Sequence, residues 1–174
     1  ININFEDLPL WFKNETDSLS TYKKNFFLKN FNKEPSLHLV FKNKGHLENF
    51  EEKLIRTSQV SGFLISKKNI ESIKSFSKGY WWVQDFSSSF PLQNINLKNN
   101  KVKILDACAA PGGKSFQVLS NNQNLVLNDR SKSRIKILKS NLNRLSFNPK
   151  ILNMDFIKFK ENKKYDLIII DAPC

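Results

Sequence analysis

The chain has 174 residues, 40% of them hydrophobic and 25% charged, which allows a packed core and excludes a disordered segment. A formal net charge of +12 favours polyanionic partners, nucleic acid first, although a composition crowded with Lys and Asn gives the same sign without any partner. The longest aliphatic run, Leu167 to Ile170, is too short to cross a bilayer, and the two cysteines, Cys108 and Cys174, form neither a zinc pattern nor a disulfide framework.

Leu10, Trp11 and Phe12 follow Pro9, and Leu19, Tyr22, Phe26 and Phe27 then recur at helical spacing behind Asp17 and Ser18. This predicts an amphipathic helix capped by those two residues. Leu37 to Phe41 reads as a strand, residues from about 46 to 56 as a helix, Gly62 to Ile65 as a strand, and the aromatic run Tyr80 to Val83 as another. Together they predict a small α+β unit over residues 1–94. Asn94 to Lys101 reads as a connector, Val83 to Pro91 as able to pack on the second unit, and the boundary is expected near residue 95.

Beyond it, Val102 to Leu105, Leu125 to Leu127, Ile151 to Leu152 and Tyr165 to Ile170 read as strands alternating with helices. Ile135, Leu138, Leu142 and Leu145 mark one helix face. The alternation predicts an α/β fold with a doubly wound parallel sheet over residues 95–174. Tyr165 to Ile170 is expected to be buried on both faces. The chain starts without an initiator, its only methionine being Met154, and stops after an apolar strand, so both ends read as cut and the last strand as an unpaired edge. With no signal segment, it reads as cytoplasmic, with no membrane and no metal among its partners.

The run Asp106-Ala-Cys-Ala-Ala-Pro-Gly-Gly-Lys-Ser115 follows the first of these strands. A strand opening into a Gly-rich turn and a helix is where an open α/β sheet seats a nucleotide-like ligand. Gly112 and Gly113 permit close backbone approach and Pro111 stiffens the bend. A phosphate-binding P-loop is nearly satisfied, but Cys108 stands where its first Gly belongs and Pro111 interrupts the row of amide donors. Asp129 ends the second strand at the place of a ribose-binding carboxylate, or of a plain helix cap. Asp155 closes the third strand on the side of an adenine ring. Asp171-Ala-Pro-Cys174 ends the fourth, facing the Gly turn, where a carboxylate and a thiol suit chemistry beside a cofactor; a buried structural cysteine is the other reading.

Taken together, Leu105 to Ser115, Asp129 with Arg134, Asn141 to Leu145 and Asp171-Ala-Pro-Cys174 closely resemble the RsmB/Sun (Nol1/Nop2/Sun) family of RNA cytosine-5 methyltransferases. Gly79-Tyr-Trp-Trp-Val-Gln-Asp85 and Pro9-Leu-Trp11 resemble the segments that precede its catalytic domain. The resemblance implies a Rossmann-like methyltransferase domain, S-adenosyl-L-methionine as cofactor and RNA as partner, 16S ribosomal RNA in the bacterial branch. It assigns Cys108, Ala109, Ala110, Pro111, Gly112, Gly113 and Lys114 to the cofactor turn, Asp129 to the ribose, Asp155 to the adenine side, and Asp171 to the methionine end and the target base. In such enzymes a thiolate adds to cytosine C6 so that C5 can accept the methyl group. The resemblance gives the attacking thiol to a Thr-Cys motif beyond this chain, gives Cys174 to product release, and implies a monomeric full-length enzyme. Leu39 and Phe41 stand where the family carries an Arg-x-Asn pair, and Ser89 where Gln is common. The competing reading is a non-catalytic RNA-binding protein using its basic surface and exposed aromatics such as Trp81 or Trp82.

Overall fold

Capping side chains and apolar spacing set the elements one after another. The computed structural model describes residues 3–65, 69–95, 97, 101–158 and 164–172, and the chain divides into two compact units, Ile1–Ser36 and Leu37–Cys174.

In the first unit, helix α1 (Leu10–Glu15) is followed by α2 (Thr21–Phe31), with Phe12 and Phe27 in ring contact at 5.2 Å. Ser20, rather than Asp17 or Ser18, caps α2 by accepting from the Lys23 N–H. Asp17 and Leu19 are committed instead to the turn that closes α1, donating to the Asn14 and Thr16 carbonyls. No residue of either helix is fully buried.

The second unit holds two sheets. Strands β1 (His38–Phe41), β2 (Leu54–Ser58), β3 (Ser61–Leu64) and β4 (Trp81–Val83) form an antiparallel sheet in the order β2-β3-β1-β4. The helix expected over 46–56 is only α3 (Lys44–Glu48), started by Asn43 accepting from the His46 N–H at 2.9 Å. Leu47, Phe50 and Leu54 have helical spacing and do reach one cluster, but from a helix, a loop and a strand in turn. Pairing with β3 outweighs helix propensity for Leu54–Ser58, since the hairpin supplies backbone partners that a longer α3 would have to find within itself.

Helix α4 (Phe86–Gln93), not foreseen as a helix, starts where the Asp85 carboxylate accepts from the Ser87 N–H at 2.8 Å. Strands β5 (Ile104–Asp106), β6 (Leu125–Asn128), β7 (Lys150–Leu152) and β8 (Leu167–Ile169) alternate with α5 (Gly113–Leu119) and α6 (Lys132–Arg144). They form a parallel sheet ordered β7-β6-β5-β8, the half of a doubly wound sheet in which the chain switches sides between β5 and β8. Strand β8 is less buried than expected: Ile168 is 46% exposed, because no described strand lies on its outer side.

The boundary expected near residue 95 falls inside this second unit, between its sheets, and alternation along β1 and β4 explains why contacts do not divide there. Leu39, Phe41 and Trp81 face a core with Leu47, Leu64 and Ile73. Val40 and Trp82 face the other way, into the core that contains Ile104, Phe116, Leu127, Leu138 and Leu142. Arg144, at the end of α6, ties the sheets by donating from Nη1 to the Phe76 and Trp81 carbonyls, 3.0 Å each, with its guanidinium 4.2 Å from the centre of the Phe76 ring. Gly79, at φ +66°, passes so close that a Cβ would lie 1.8 Å from the Arg144 carbonyl oxygen. No described helix is long and apolar enough to cross a membrane.

The Arg144 clamp makes a stability prediction. Arg144→Ala should lower the unfolding free energy by about 2 to 4 kcal/mol, through two weakened carbonyls and a lost cation–π contact, and Arg144→Lys should recover only part of it. Urea denaturation followed by circular dichroism measures both.

Candidate functional site

The loop between β5 and α5 is held at both ends by buried carboxylates. Asp106, the last residue of β5, is 1% exposed; its Oδ2 accepts from the Ser115 hydroxyl at 2.6 Å and its Oδ1 from the Cys108 N–H at 3.3 Å. Burial pushes the Asp106 carboxyl up to about 6 against the downward pull of those two hydrogen bonds, and Asp171 adds to the rise. At the other end Asp129, just past β6 and 3% exposed, accepts from the Ala110 N–H at 3.2 Å and the Ser131 N–H at 2.9 Å. Arg134 Nη1 lies 3.6 Å from the same carboxylate, and Arg134 Nη2 donates to the Ala110 carbonyl.

Other groups complete the loop. Asn128 donates to the Ala107 carbonyl at 3.0 Å, and Asn141 donates to the Pro111 carbonyl at 3.2 Å. Gly112 sits at φ +122°, where a Cβ would meet the Phe116 ring at 2.0 Å, so the position needs glycine on both conformational and steric grounds. Lys114 turns its ammonium across the opening, donating to Ser88 Oγ at 2.7 Å and Asp171 Oδ2 at 2.6 Å.

These groups border a cleft of about 380 Å³. One wall brings together Cys108, Ala109, Ala110, Pro111, Gly113, Lys114 and Asp171, as the sequence led us to expect. The facing wall, which sequence reasoning missed, is Val83, Gln84, Asp85 and Ser88 from the end of β4 and the start of α4. Its signal was the Asp-x-Ser-Ser spacing of a helix start at Asp85, obscured by Pro91 farther along. Asp106 was overlooked too, because a strand-terminal Asp carries no mark of how deeply it is buried.

Gly112 and Asp129 stand behind the lining and shape the loop. Asp155, half-buried after β7, does not line the cleft and accepts from the Ile157 N–H at 3.1 Å. Cys174 lies outside the described residues. Burial, followed by the nearby Asp129, Asp106 and Asp171 carboxylates, pushes the Cys108 thiol up, so it is a protonated wall group at neutral pH. Trp81 and Trp82, expected as exposed stacking surfaces in the competing reading, are 0% and 3% exposed; each fills a core, and Trp82 Nε1 donates to Gln84 Oε1 at 2.8 Å. Among the described residues no group of three His, Cys, Asp or Glu could hold a metal ion.

Residues 92–174, which carry β5, the loop and α5, match the family model described as 16S rRNA methyltransferase RsmB/F. Over this part the chain is similar to the RsmB/F methyltransferase family. Over 115 residues the chain is 31% identical to the probable ribosomal RNA small subunit methyltransferase B of Coxiella burnetii, covering 61% of this chain and 26% of that protein. It is 35% identical over 111 residues to the tRNA (cytosine(72)-C(5))-methyltransferase of Pyrococcus horikoshii, covering 61% of this chain and 28% of that one. The chain thus spans about a quarter of the length of these relatives. NSun6 from Pyrococcus horikoshii, solved with SFG, shares the fold at a TM-score of 0.73 and 17% identity, over 93% of this chain and 69% of that chain. A methyltransferase homolog protein from the same organism does so at 0.70 and 20%, over 96% and 64%. The fold is therefore the Rossmann-like methyltransferase architecture that the family resemblance implied, built on the parallel sheet that the strand alternation predicted.

The burial of Asp106 in this loop is testable by linkage. Its carboxyl is raised on folding, so the native state binds the extra proton and stability falls as pH rises through the interval between the unfolded value and about 6. Asp106→Asn removes that titration. Relative to the parent, the variant should gain roughly 2 to 3 kcal/mol in unfolding free energy between about pH 3.5 and about pH 7. Urea denaturation at the two pH values reads this, and a pH-independent difference would contradict burial as the leading cause.

Proposed function

We propose that this chain carries the methyl-donor site of an S-adenosylmethionine-dependent RNA methyltransferase that modifies C5 of a cytosine, with 16S ribosomal RNA as the substrate. The observation that carries the reading is the cleft walled by Cys108 to Pro111, Gly113, Lys114, Asp106 and Asp171 within the segment that matches the RsmB/F family. Relatives named as a ribosomal RNA small subunit methyltransferase and as a tRNA (cytosine(72)-C(5))-methyltransferase support the substrate class, and a fold relative solved with SFG, an analogue of the donor, supports the cofactor.

The residues fit such a donor by their chemistry. Ala109, Ala110 and Pro111 carry small or compact side chains that leave the loop backbone open to a flat ligand. Asp106 and Asp171 offer carboxylates to a cationic group, and Lys114 offers an ammonium to an anionic one. When bound, S-adenosylmethionine supplies an electrophilic methyl group on a positively charged sulfur. A cation beside Asp106 would favour its carboxylate and pull its titration back down, against the effect of burial. Asp129 is the proposed ribose residue, and its grip on Ala110 and Arg134 holds the loop in shape. Asp155 is assigned to the adenine side and Cys174 to product release. Residues 1–94 are proposed as the RNA-binding region, and the whole enzyme as a monomer.

Calorimetric titration of the folded chain with S-adenosylmethionine tests the reading. Saturable one-to-one binding is expected, weakened at least about tenfold by Asp129→Asn, which is a loss of about 1.4 kcal/mol, and changed less than about threefold by Cys108→Ser. A folded chain that gives no heat with the donor, while binding RNA or magnesium–ATP, would overturn the proposal in favour of a binding protein or a triphosphate site.

A further inference from the structure

A second concavity lies at the opposite ends of the two helices that border the donor cleft. Asp85 and Ser88 at the start of α4, with Gly113 and Lys114 at the start of α5, line the cleft. Gln93 and Asn94 at the end of α4, with Gln117 and Asn121 toward the end of α5, line a groove of about 800 Å³, closed on its other side by the Gln59–Val60 turn and the loop after β1.

The lining of this groove differs from that of the other described clefts, each of which includes an acidic residue. Six of its fifteen described lining residues carry a side-chain amide, namely Asn43, Gln59, Gln93, Asn94, Gln117 and Asn121, and none is acidic. The amides of Gln59 and Asn94 are exposed and take no hydrogen bond among the described residues. The Lys44 ammonium stands at the rim, its side chain 61% exposed, with Glu48 3.4 Å away as a surface pair of little strength. The floor is apolar, with Val40, Leu92 and Leu97 at 2%, 8% and 4% exposure. Gln117 is held in place, accepting from Gln84 Nε2 at 2.7 Å and donating to the Ser89 carbonyl at 3.0 Å.

Neutral groups that both donate and accept suit the edges of unpaired bases, an apolar floor suits their faces, and a lining that holds Lys42 and Lys44 and no acidic residue, on a chain of charge +12, suits their phosphates. We propose that this groove binds a single-stranded segment of RNA, on the far side of α4 and α5 from the donor cleft. The inference rests on the RNA substrate proposed above and adds where the chain grips it away from the target base. The cleft walled by His46, Tyr80, Glu51 and Lys74 lacks this character, since its lining includes two glutamates.

Fluorescence anisotropy with a labelled mixed-sequence single-stranded RNA of about 12 nucleotides tests the groove, a length within the usual range for such sites. The double variant Gln59→Glu, Asn94→Asp places two carboxylates on exposed groove positions with little change of shape. It should weaken RNA binding at least about tenfold at fixed salt. A control of equal charge change on α6, Asn143→Asp with Lys136→Gln, should weaken it less than about threefold. Equal losses in the two variants would assign RNA binding to the overall field; an unaffected groove variant, or a parent chain that does not bind RNA, would overturn the proposal as well. Donor titration of the same proteins separates the two readings: a parent that binds RNA through the groove but not S-adenosylmethionine defeats the enzyme reading and leaves the groove standing.

Discussion

Two buried carboxylates, at the ends of neighbouring parallel strands, hold the loop from Ala107 to Gly112, and the shape of the cleft depends on that grip. Asp129 has Arg134 beside it, so its charge is partly balanced. Among the described residues no cation touches Asp106, since Lys114 turns to Asp171 instead, and two hydrogen-bond donors support its carboxylate. A carboxylate buried with donors but no cation is costly to keep ionised, which is why its titration moves toward neutrality. The arrangement leaves room in the electrostatics of the site for a positive group brought by a ligand.

The other wall of the cleft comes from a different sheet. It can do so because β1 and β4 are buried on both faces: one face builds the small core around Trp81, and the other joins the parallel sheet through Val40 and Trp82. Trp82 then reaches Gln84, Gln84 reaches Gln117, and Gln117 reaches the Ser89 carbonyl, a chain of amides that fixes α4 against α5. A half-buried chain of hydrogen-bonded amides of this kind favours one packing of the helices. The same pair of helices therefore presents a cleft with charges of both signs at one end and an amide-rich groove without acidic lining residues at the other. The charges of the cleft suit a small zwitterionic ligand, and the amides of the groove suit base edges.

The amino-acid sequence by itself determined the parallel sheet, the Gly turn and the family resemblance, because those depend on local pattern: short apolar runs, glycines where no Cβ fits, and aspartates at strand ends. It misled where two patterns of similar strength competed. Residues after Glu48 have helical spacing but pair as a hairpin, and Pro91 disguised a helix that Asp85 starts. Tertiary structure alone decided that Trp81 and Trp82 are core residues, that Asp106 is deeply buried, and that β4 and α4 complete the cleft. Those outcomes depend on which faces meet across sheets far apart in sequence. Burial and charge balance are properties of that meeting, and no local pattern encodes them.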